Sequence, residues 1–126
     1  FRSVVAADGT DLYVCLGENG IAKVNTTTGE VSKFYTCPTF VPSKAEKGTD
    51  PIVKGRANGV AVDSKYVYVA CGSYGLVVLD KATGNEVCHR KAYTEKSANF
   101  VAVDGENIYV AYGQSRVQVF KLTATN

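Results

Sequence analysis

One pattern of residues occurs three times in this sequence and limits the folds open to it. In each copy an Asp ends one apolar run, and nine residues later a Gly ends a second apolar run. The aspartates are Asp8, Asp63 and Asp104, the glycines are Gly17, Gly72 and Gly113, and a tyrosine holds the same place in each second run (Tyr13, Tyr68 and Tyr109). Self-similarity of this kind is typical of repeat architectures, in which neighbouring units bury each other's apolar faces.

Each copy predicts short β-strands joined by tight turns. β-Branched and aromatic residues dominate the apolar runs, and no segment carries a helical period. A third run follows each Gly, and in the first two copies it ends in a polar turn (residues 25–29 and 80–84) that opens with Asn or Asp and closes with Gly. This is the turn chemistry of a hairpin. A fourth run follows at residues 30–35 and 86–93, whereas the third copy stops before one.

The spacing of the copies predicts blades of a β-propeller. Residues 67–71 and 76–79 are apolar at successive positions, which indicates strands covered on both faces. One blade takes roughly 40–50 residues; copies two and three are offset by 41, and copies one and two by 55 because of an insertion. We predict one all-β domain over residues 1–126, with blade 1 at 1–40, the insertion at 36–56, blade 2 at 57–96 and an incomplete blade 3 at 97–126.

Three blades do not close a ring, since propellers typically have 4–8 blades. Two interpretations stay open: the chain is a fragment of a larger propeller, or several copies of it complete the ring. Left alone, the end blades are expected to expose apolar faces, which favour association.

Residues 66–84 read YVYVACG, then two further residues, then GLVVLDKATG. This segment resembles the LVIVD-type propeller repeat of bacterial proteins, many of them secreted or surface proteins. The resemblance covers copies two and three well and copy one loosely, where residues 21–25 depart from the motif. It implies a propeller fold and an extracellular or cell-surface location. It implies no specific activity, because the propeller fold does not determine function.

Charge and motif content narrow the classes of function. The 14 basic and 12 acidic residues are mixed along the chain, with a net charge of +2, which argues against a dedicated nucleic-acid binder. No apolar run is long enough to span a bilayer. No zinc spacing, P-loop or hydrolase motif is present, so we expect no metal and no cofactor.

The four cysteines (Cys15, Cys37, Cys71 and Cys88) permit three disulfide connectivities, and we favour buried free thiols over disulfides.

The candidate contact residues lie in the loops between the second and third strands of each copy and in the insertion. In a propeller these loops share a face with the connections between blades, and here they differ between copies while the strands do not, which suits diversified surface loops. Tyr74 and Arg116 are expected to be exposed, and both residue types are enriched at binding hot spots. The insertion adds an apolar residue, Phe40, in a long loop of the kind that is often functional. The predicted partner-binding residues are Glu18, Asn19, Phe40, Ser73, Tyr74, Gln114, Ser115 and Arg116, and ordinary solvated turns are the alternative.

The aspartates and the single histidine give weaker evidence of a functional site than the loop residues do. Asp8, Asp63 and Asp104 would suit a ring of acids or a metal site, but turn formation by Asp is the favoured interpretation. His89 has no partner at a suitable spacing and is interpreted as a surface residue, not a general base. We assign no catalytic residue.

These observations favour a non-catalytic binding or assembly module that presents loops to a protein or glycan partner, with self-association through exposed blade faces as a further option. Two alternatives stay open. One is part of a propeller enzyme, a hydrolase or lyase, with its active site at the channel mouth. The other is a structural subunit of a filament or surface layer.

Overall fold

The computed structural model describes residues 4–41, 52–92, 96–113 and 116–122. All the regular secondary structure in these ranges is β-strand, which confirms the all-β prediction. Within the same ranges, no helix is long and apolar enough to cross a membrane.

Antiparallel sheets of propeller-blade type follow one another along the chain, and within each sheet strands that are neighbours in sequence are paired. Blade 1 contains β1 (Val5–Asp8), β2 (Asp11–Cys15), β3 (Ile21–Asn25) and β4 (Val31–Tyr35); a hairpin of β5 (Thr39–Phe40) and β6 (Val53–Lys54) follows. Blade 2 contains β7 (Gly59–Val62), β8 (Tyr66–Ala70), β9 (Leu76–Asp80) and β10 (Glu86–Arg90), and blade 3 contains β11 (Ala98–Asp104), β12 (Asn107–Tyr112) and β13 (Arg116–Lys121). The four-stranded repeats predicted from the sequence are confirmed in blades 1 and 2, and blade 3 has three strands in the described residues.

The turns between the third and fourth strands form by the predicted chemistry. The Asn25 side-chain oxygen accepts hydrogen bonds from the backbone N–H groups of Thr27 and Thr28. The Asp80 carboxylate does the same for Ala82 and Thr83, at 2.8 and 3.1 Å. Such Asx turns reverse the chain in few residues, which brings β4 and β10 back alongside β3 and β9.

Equivalent glycines in the turn before the third strand let the end of the fourth strand pass close to that turn. Gly20 and Gly75 have φ values of 82° and 108°, which side-chain-bearing residues rarely adopt. A Cβ atom added at Gly20 would lie 1.9 Å from the Tyr35 carbonyl oxygen, and one at Gly75 would lie 2.1 Å from that of Arg90. Both the backbone angle and the lack of space therefore require glycine at these two positions.

Pairs of backbone hydrogen bonds join neighbouring blades at equivalent places. Gly17 and Ala57 exchange two N–H···O bonds of 3.3 and 2.8 Å, and Gly72 and Ala98 exchange two of 3.0 and 2.8 Å. The first strand of blade 2, β7, contacts the first strands of both neighbouring blades. The end of the blades that carries the β2–β3 and β8–β9 turns and these inter-blade bonds is called the loop face below.

The core lies between the blades. One face of blade 2 packs on blade 1 and the other packs on blade 3, which confirms that its strands are covered on both faces. The side chains facing blade 1 are Val67, Val69, Val77 and Leu79, and those facing blade 3 are Tyr68, Ala70, Leu76 and Val78. On the end blades, Val5 and Val31 of blade 1 and Val117 and Val119 of blade 3 are exposed, as expected for faces that no described blade covers.

The two arms of the insertion between blades 1 and 2 pair as the hairpin β5–β6. Thr39 pairs with Lys54 and Phe40 with Val53. Its middle, residues 42–51, lies outside the described residues. The four cysteines are free thiols; Cys37 and Cys71 are buried, as expected, whereas Cys15 and Cys88 are half-buried.

Candidate binding surface on the loop face

The structure places the predicted contact residues in three groups. Glu18, Asn19 and Ser73 are exposed in the β2–β3 and β8–β9 turns, and Arg116 is exposed at the start of β13. Phe40 and Tyr74 are half-buried and contact each other. Gln114 and Ser115 lie outside the described residues.

Three rings form one aromatic cluster beneath the hairpin. The His89 ring stacks on the Tyr74 ring with a centroid distance of 3.8 Å and an interplanar angle of 6°. Phe40 lies against Tyr74 at 5.2 Å and 59°, a tilted geometry that aromatic pairs favour. His89 Nε2 also lies 2.6 Å from the Tyr74 carbonyl oxygen. The cluster therefore connects the insertion, the β8–β9 turn and the outer strand of blade 2.

One expectation from the sequence is wrong in this cluster. Tyr74 was expected to be an exposed loop residue, but its ring lies between Phe40 and His89. Burial and the nearby Glu86 carboxylate raise the pKa of its hydroxyl above the ordinary value, so the group stays neutral. His89, interpreted from the sequence as a surface residue, is half-buried and stacks on Tyr74. The sequence offered no signal for the contact of Tyr74 with Phe40, because the insertion that carries Phe40 is absent from the spacing of the other copies.

Arg56 joins two turns of the loop face and was missed by the sequence analysis. Its guanidinium donates a 2.8 Å hydrogen bond to the Glu18 carboxylate, and both side chains are exposed. A Cβ atom at Gly72 would lie 3.4 Å from the Arg56 backbone nitrogen, so the Arg56 backbone passes close to the second turn. The sequence offered no signal for this contact, because Arg56 and Glu18 are 38 residues apart and Arg56 is the last residue of the insertion.

The base of the hairpin is held against blade 2. The Gly55 N–H donates a 2.9 Å hydrogen bond to the Pro38 carbonyl, which ties the returning arm to the outgoing one. A Cβ atom at Gly55 would lie 3.0 Å from Cys71 Sγ and 3.3 Å from Tyr74 Cβ. Glycine at this position lets the hairpin pack directly on the β8–β9 turn.

Three aliphatic side chains next to this support are exposed. Val41, Ile52 and Val53 are 60%, 63% and 37% exposed. Val41 directly follows β5, Ile52 directly precedes β6, and Val53 is the first residue of β6. We call these three residues the hairpin patch.

At the opposite end of the blades, acidic residues are matched by lysines. A cleft of about 420 Å³ between blades 1 and 2 contains Asp8, Asp11 and Asp80 together with Lys23, Lys65 and Lys81. Lys81 Nζ contacts Asp8 at 2.5 Å, and Lys23 Nζ lies 3.8 Å from Asp11. In the described part of the chain, no group of three or more His, Cys, Asp or Glu side chains is placed to hold a metal ion.

Asp63 stabilises a turn, which is the role that the sequence analysis favoured for it. Its carboxylate accepts hydrogen bonds from the backbone N–H groups of Lys65 and Tyr66 and from the Tyr68 hydroxyl. Burial by itself would raise the pKa of Asp63, but these hydrogen bonds outweigh burial and hold the pKa below its ordinary value. The Asp63 carboxylate is therefore a structural anion in the turn before β8.

Comparison with known proteins bears on the fold alone. No protein-family model matches the chain, and no curated protein matches it. Among solved structures, the chain is similar to the computationally designed Ika4 protein, with a TM-score of 0.68 and 8% sequence identity. The match covers 94% of this chain and 64% of the Ika4 chain. A solved structure therefore has a similar arrangement of strands, while the loop face described above has to be interpreted from its own residues.

Proposed function

We propose that this protein is a non-catalytic binding module that docks a protein partner on its loop face, through the hairpin patch. The observation that carries the proposal is the exposure of three aliphatic residues that are adjacent along a hairpin whose base packs on blade 2. Contiguous exposed apolar residues rimmed by polar ones are typical of protein interaction sites.

The rigid support of the patch favours binding. Phe40 anchors β5 on Tyr74, and Gly55 seats the returning arm on Cys71. A preformed binding element loses little conformational freedom when a partner docks, so more of the contact energy appears as affinity.

The loop face also carries polar residues of the kind found in an interface rim. Glu18 and Arg56 form an exposed ion pair, and the exposed Asn19 and Ser73 add neutral hydrogen-bonding groups. Charged pairs of this kind affect the rate and specificity of association more than its strength. The rim therefore suits a protein surface with its own polar border around an apolar centre.

The aromatic geometry favours a protein over a glycan. Aromatic platforms for sugars present one open ring face, whereas His89 covers a face of Tyr74 at 3.8 Å and Phe40 leans on the same ring. Tyr74 thus supports the hairpin from within.

The resemblance of residues 66–84 to the LVIVD-type repeat supports an extracellular or cell-surface location as part of this proposal. Fractionation of the source cells with an antibody against the purified chain tests it. Recovery of the protein in the cytoplasmic fraction alone would contradict this part of the proposal.

The test of the binding function compares matched variants as baits in extracts of the source. We expect a protein partner to be enriched on the wild type and on Val87→Ser, a control at an exposed valine of β10. The double variant Val41→Ser/Ile52→Ser should lose that partner and bind the purified partner at least tenfold more weakly. Equal enrichment on the double variant, at an unchanged melting temperature, would overturn the proposal.

A second candidate function, self-assembly, is favoured by the outer faces of the end blades. Val117 and Val119 are 61% and 56% exposed, whereas the equivalent residues of blade 2, Leu76 and Val78, are 1% exposed beneath blade 3. Another blade, supplied by a second copy, would cover the first pair in the same way. Light scattering should then show a discrete oligomer that Val117→Asp/Val119→Asp converts to monomer, and a wild-type monomer at all concentrations would exclude this assembly.

A further inference from the structure

Two cysteines from separate parts of the chain meet at the base of the hairpin. Cys37 follows β4 where the insertion begins, and Cys71 follows β8 at the start of the β8–β9 turn. They are 34 residues apart in sequence, and their Sγ atoms are 3.4 Å apart. The side chains are 3% and 0% exposed, so the contact is inside the interface between blades 1 and 2.

Backbone groups of the insertion and of blade 1 pack closely around the two sulfur atoms. Gly55 packs its backbone against Cys71 Sγ, where any larger residue would intrude. Cys37 Sγ lies 3.7 Å from the Gly17 carbonyl oxygen, on the side of blade 1. A disulfide needs the sulfur atoms to approach by about 1.4 Å, to the S–S distance of about 2.05 Å.

The two thiols differ in acidity. A hydrogen bond from Cys71 lowers the pKa of Cys37, with further support from the Ala57 N–H and the charges of Lys54 and Arg56, and these effects outweigh burial. The hydrogen bond to Cys37 and burial raise the pKa of Cys71. Because the thiolate is the attacking species, Cys37 is the thiol suited to react first.

We propose that Cys37 and Cys71 are a disulfide-forming pair, oxidised by a small-molecule disulfide, that covalently tethers the insertion hairpin to blade 2. The proposal concerns a modification site and does not depend on what the hairpin patch binds.

The reaction proceeds by two exchange steps. Cys37 is buried, so the base of the hairpin must open locally before the small-molecule disulfide reaches it. The Cys37 thiolate then attacks one sulfur of that disulfide, which forms a mixed disulfide on Cys37 and releases one small thiolate. Cys71 then loses its proton to the released thiolate and attacks Cys37 Sγ, which expels the second small thiolate. In total, two protein thiols are oxidised to one disulfide, and one small disulfide is reduced to two thiols.

The other two cysteines provide internal controls. Burial, followed by the nearby Cys37, raises the pKa of Cys15 to about 12, so this thiol stays protonated. Cys88 packs in the other core cluster, between blades 2 and 3. We expect both to remain free under conditions that join Cys37 to Cys71.

The experiment uses the wild-type chain equilibrated with reduced and oxidised glutathione at several ratios, then alkylated and digested with trypsin without reduction. The four cysteines fall in separate tryptic peptides, so their pairing is unambiguous. We expect the loss of two free thiols, a cross-linked species of residues 34–44 and 66–81, and a melting temperature several degrees higher than in the reduced protein.

Variants separate the roles of the two thiols. Cys71→Ser should trap one glutathione on Cys37, whereas Cys37→Ser should leave Cys71 largely unmodified, and Cys88→Ser should form the cross-link like the wild type. The wild-type peptide map does not depend on whether the serine variants fold. Four free thiols in folded wild type at the most oxidising ratio, or Cys37 joined to Cys15, would overturn the proposal.

Discussion

The hydroxyl of Tyr68 donates a 2.5 Å hydrogen bond to the Asp63 carboxylate. The two residues belong to the repeated pattern that defines the blades, in which an Asp ends the first run and a Tyr lies in the second. Tyr68 is buried between blades 2 and 3, so its hydroxyl needs a partner, and the turn before β8 supplies one.

Replacement of Tyr68 by Phe tests this bond while leaving the ring in place. We expect the free energy of unfolding at pH 7 to fall by about 1–2 kcal/mol, since the bond is to a charged acceptor. Urea denaturation measures it. Tyr109→Phe, at the equivalent position of blade 3, is the matched control and should change stability by less than about 0.5 kcal/mol.

The same pair predicts a pH dependence. The folded pKa of Asp63 is lowered, so its stabilising effect is fully present above the unfolded pKa of about 4 and is lost as the pH falls through the folded pKa. In Tyr68→Phe the pKa of Asp63 should rise, because the bond that lowers it is gone. The stability difference between wild type and Tyr68→Phe should therefore shrink below about pH 4, and a constant difference from pH 7 to pH 3 would contradict the assignment.

The glycine that follows the β8–β9 turn should not tolerate a methyl group. In Gly75→Ala the added Cβ would collide with the Arg90 carbonyl and the Ala92 nitrogen at a φ of 108°, so we expect a loss above about 3 kcal/mol. Gly29→Ala has a similar positive φ with no atom within 4 Å, and should lose only about 1 kcal/mol. Equal losses in urea denaturation would show that backbone angle, and not close approach, determines the cost.

Tyr74 should contribute to stability as a packed residue. Truncation in Tyr74→Ala removes the contacts with both Phe40 and His89, and we expect a loss of about 2 kcal/mol in thermal or urea denaturation. Ser73→Ala, at the exposed neighbour, should stay within about 0.5 kcal/mol of wild type. If the two variants behaved alike, the aromatic cluster would not support the hairpin.

Lys81 should hold blades 1 and 2 together at the end opposite the loop face. Its ammonium group contacts the Asp8 carboxylate and donates a 3.0 Å hydrogen bond to the Asp63 carbonyl. Lys81→Met should cost about 1 kcal/mol at low salt and less in 1 M NaCl, which screens the ion pair. Lys65→Met, at an exposed neighbouring lysine, is the control, and a salt-independent loss would argue against an electrostatic origin.

The blades could be predicted because the features that specify them are local. Asn25 and Asp80 open their turns through their own side chains, two and three residues away. The continuous apolar run of β8 indicated burial on both faces, and Val67 and Tyr68 indeed face different blades. The candidate surface was only partly predictable: Phe40 and Tyr74 were named, but their contact and the roles of His89 and Arg56 were not.

The sequence by itself determined the repeat, the turns, the two-sided burial of the strands and the apolar end faces, because each depends on residue types at short, regular spacing. Only the tertiary structure decided the contacts across the insertion. Arg56 reaches Glu18 over 38 residues, and Cys37 meets Cys71 over 34. Both contacts involve a residue of the insertion, which the spacing of copies two and three lacks, so no periodic pattern could indicate them. The base of the hairpin packs on blade 2 through Gly55, next to Cys71.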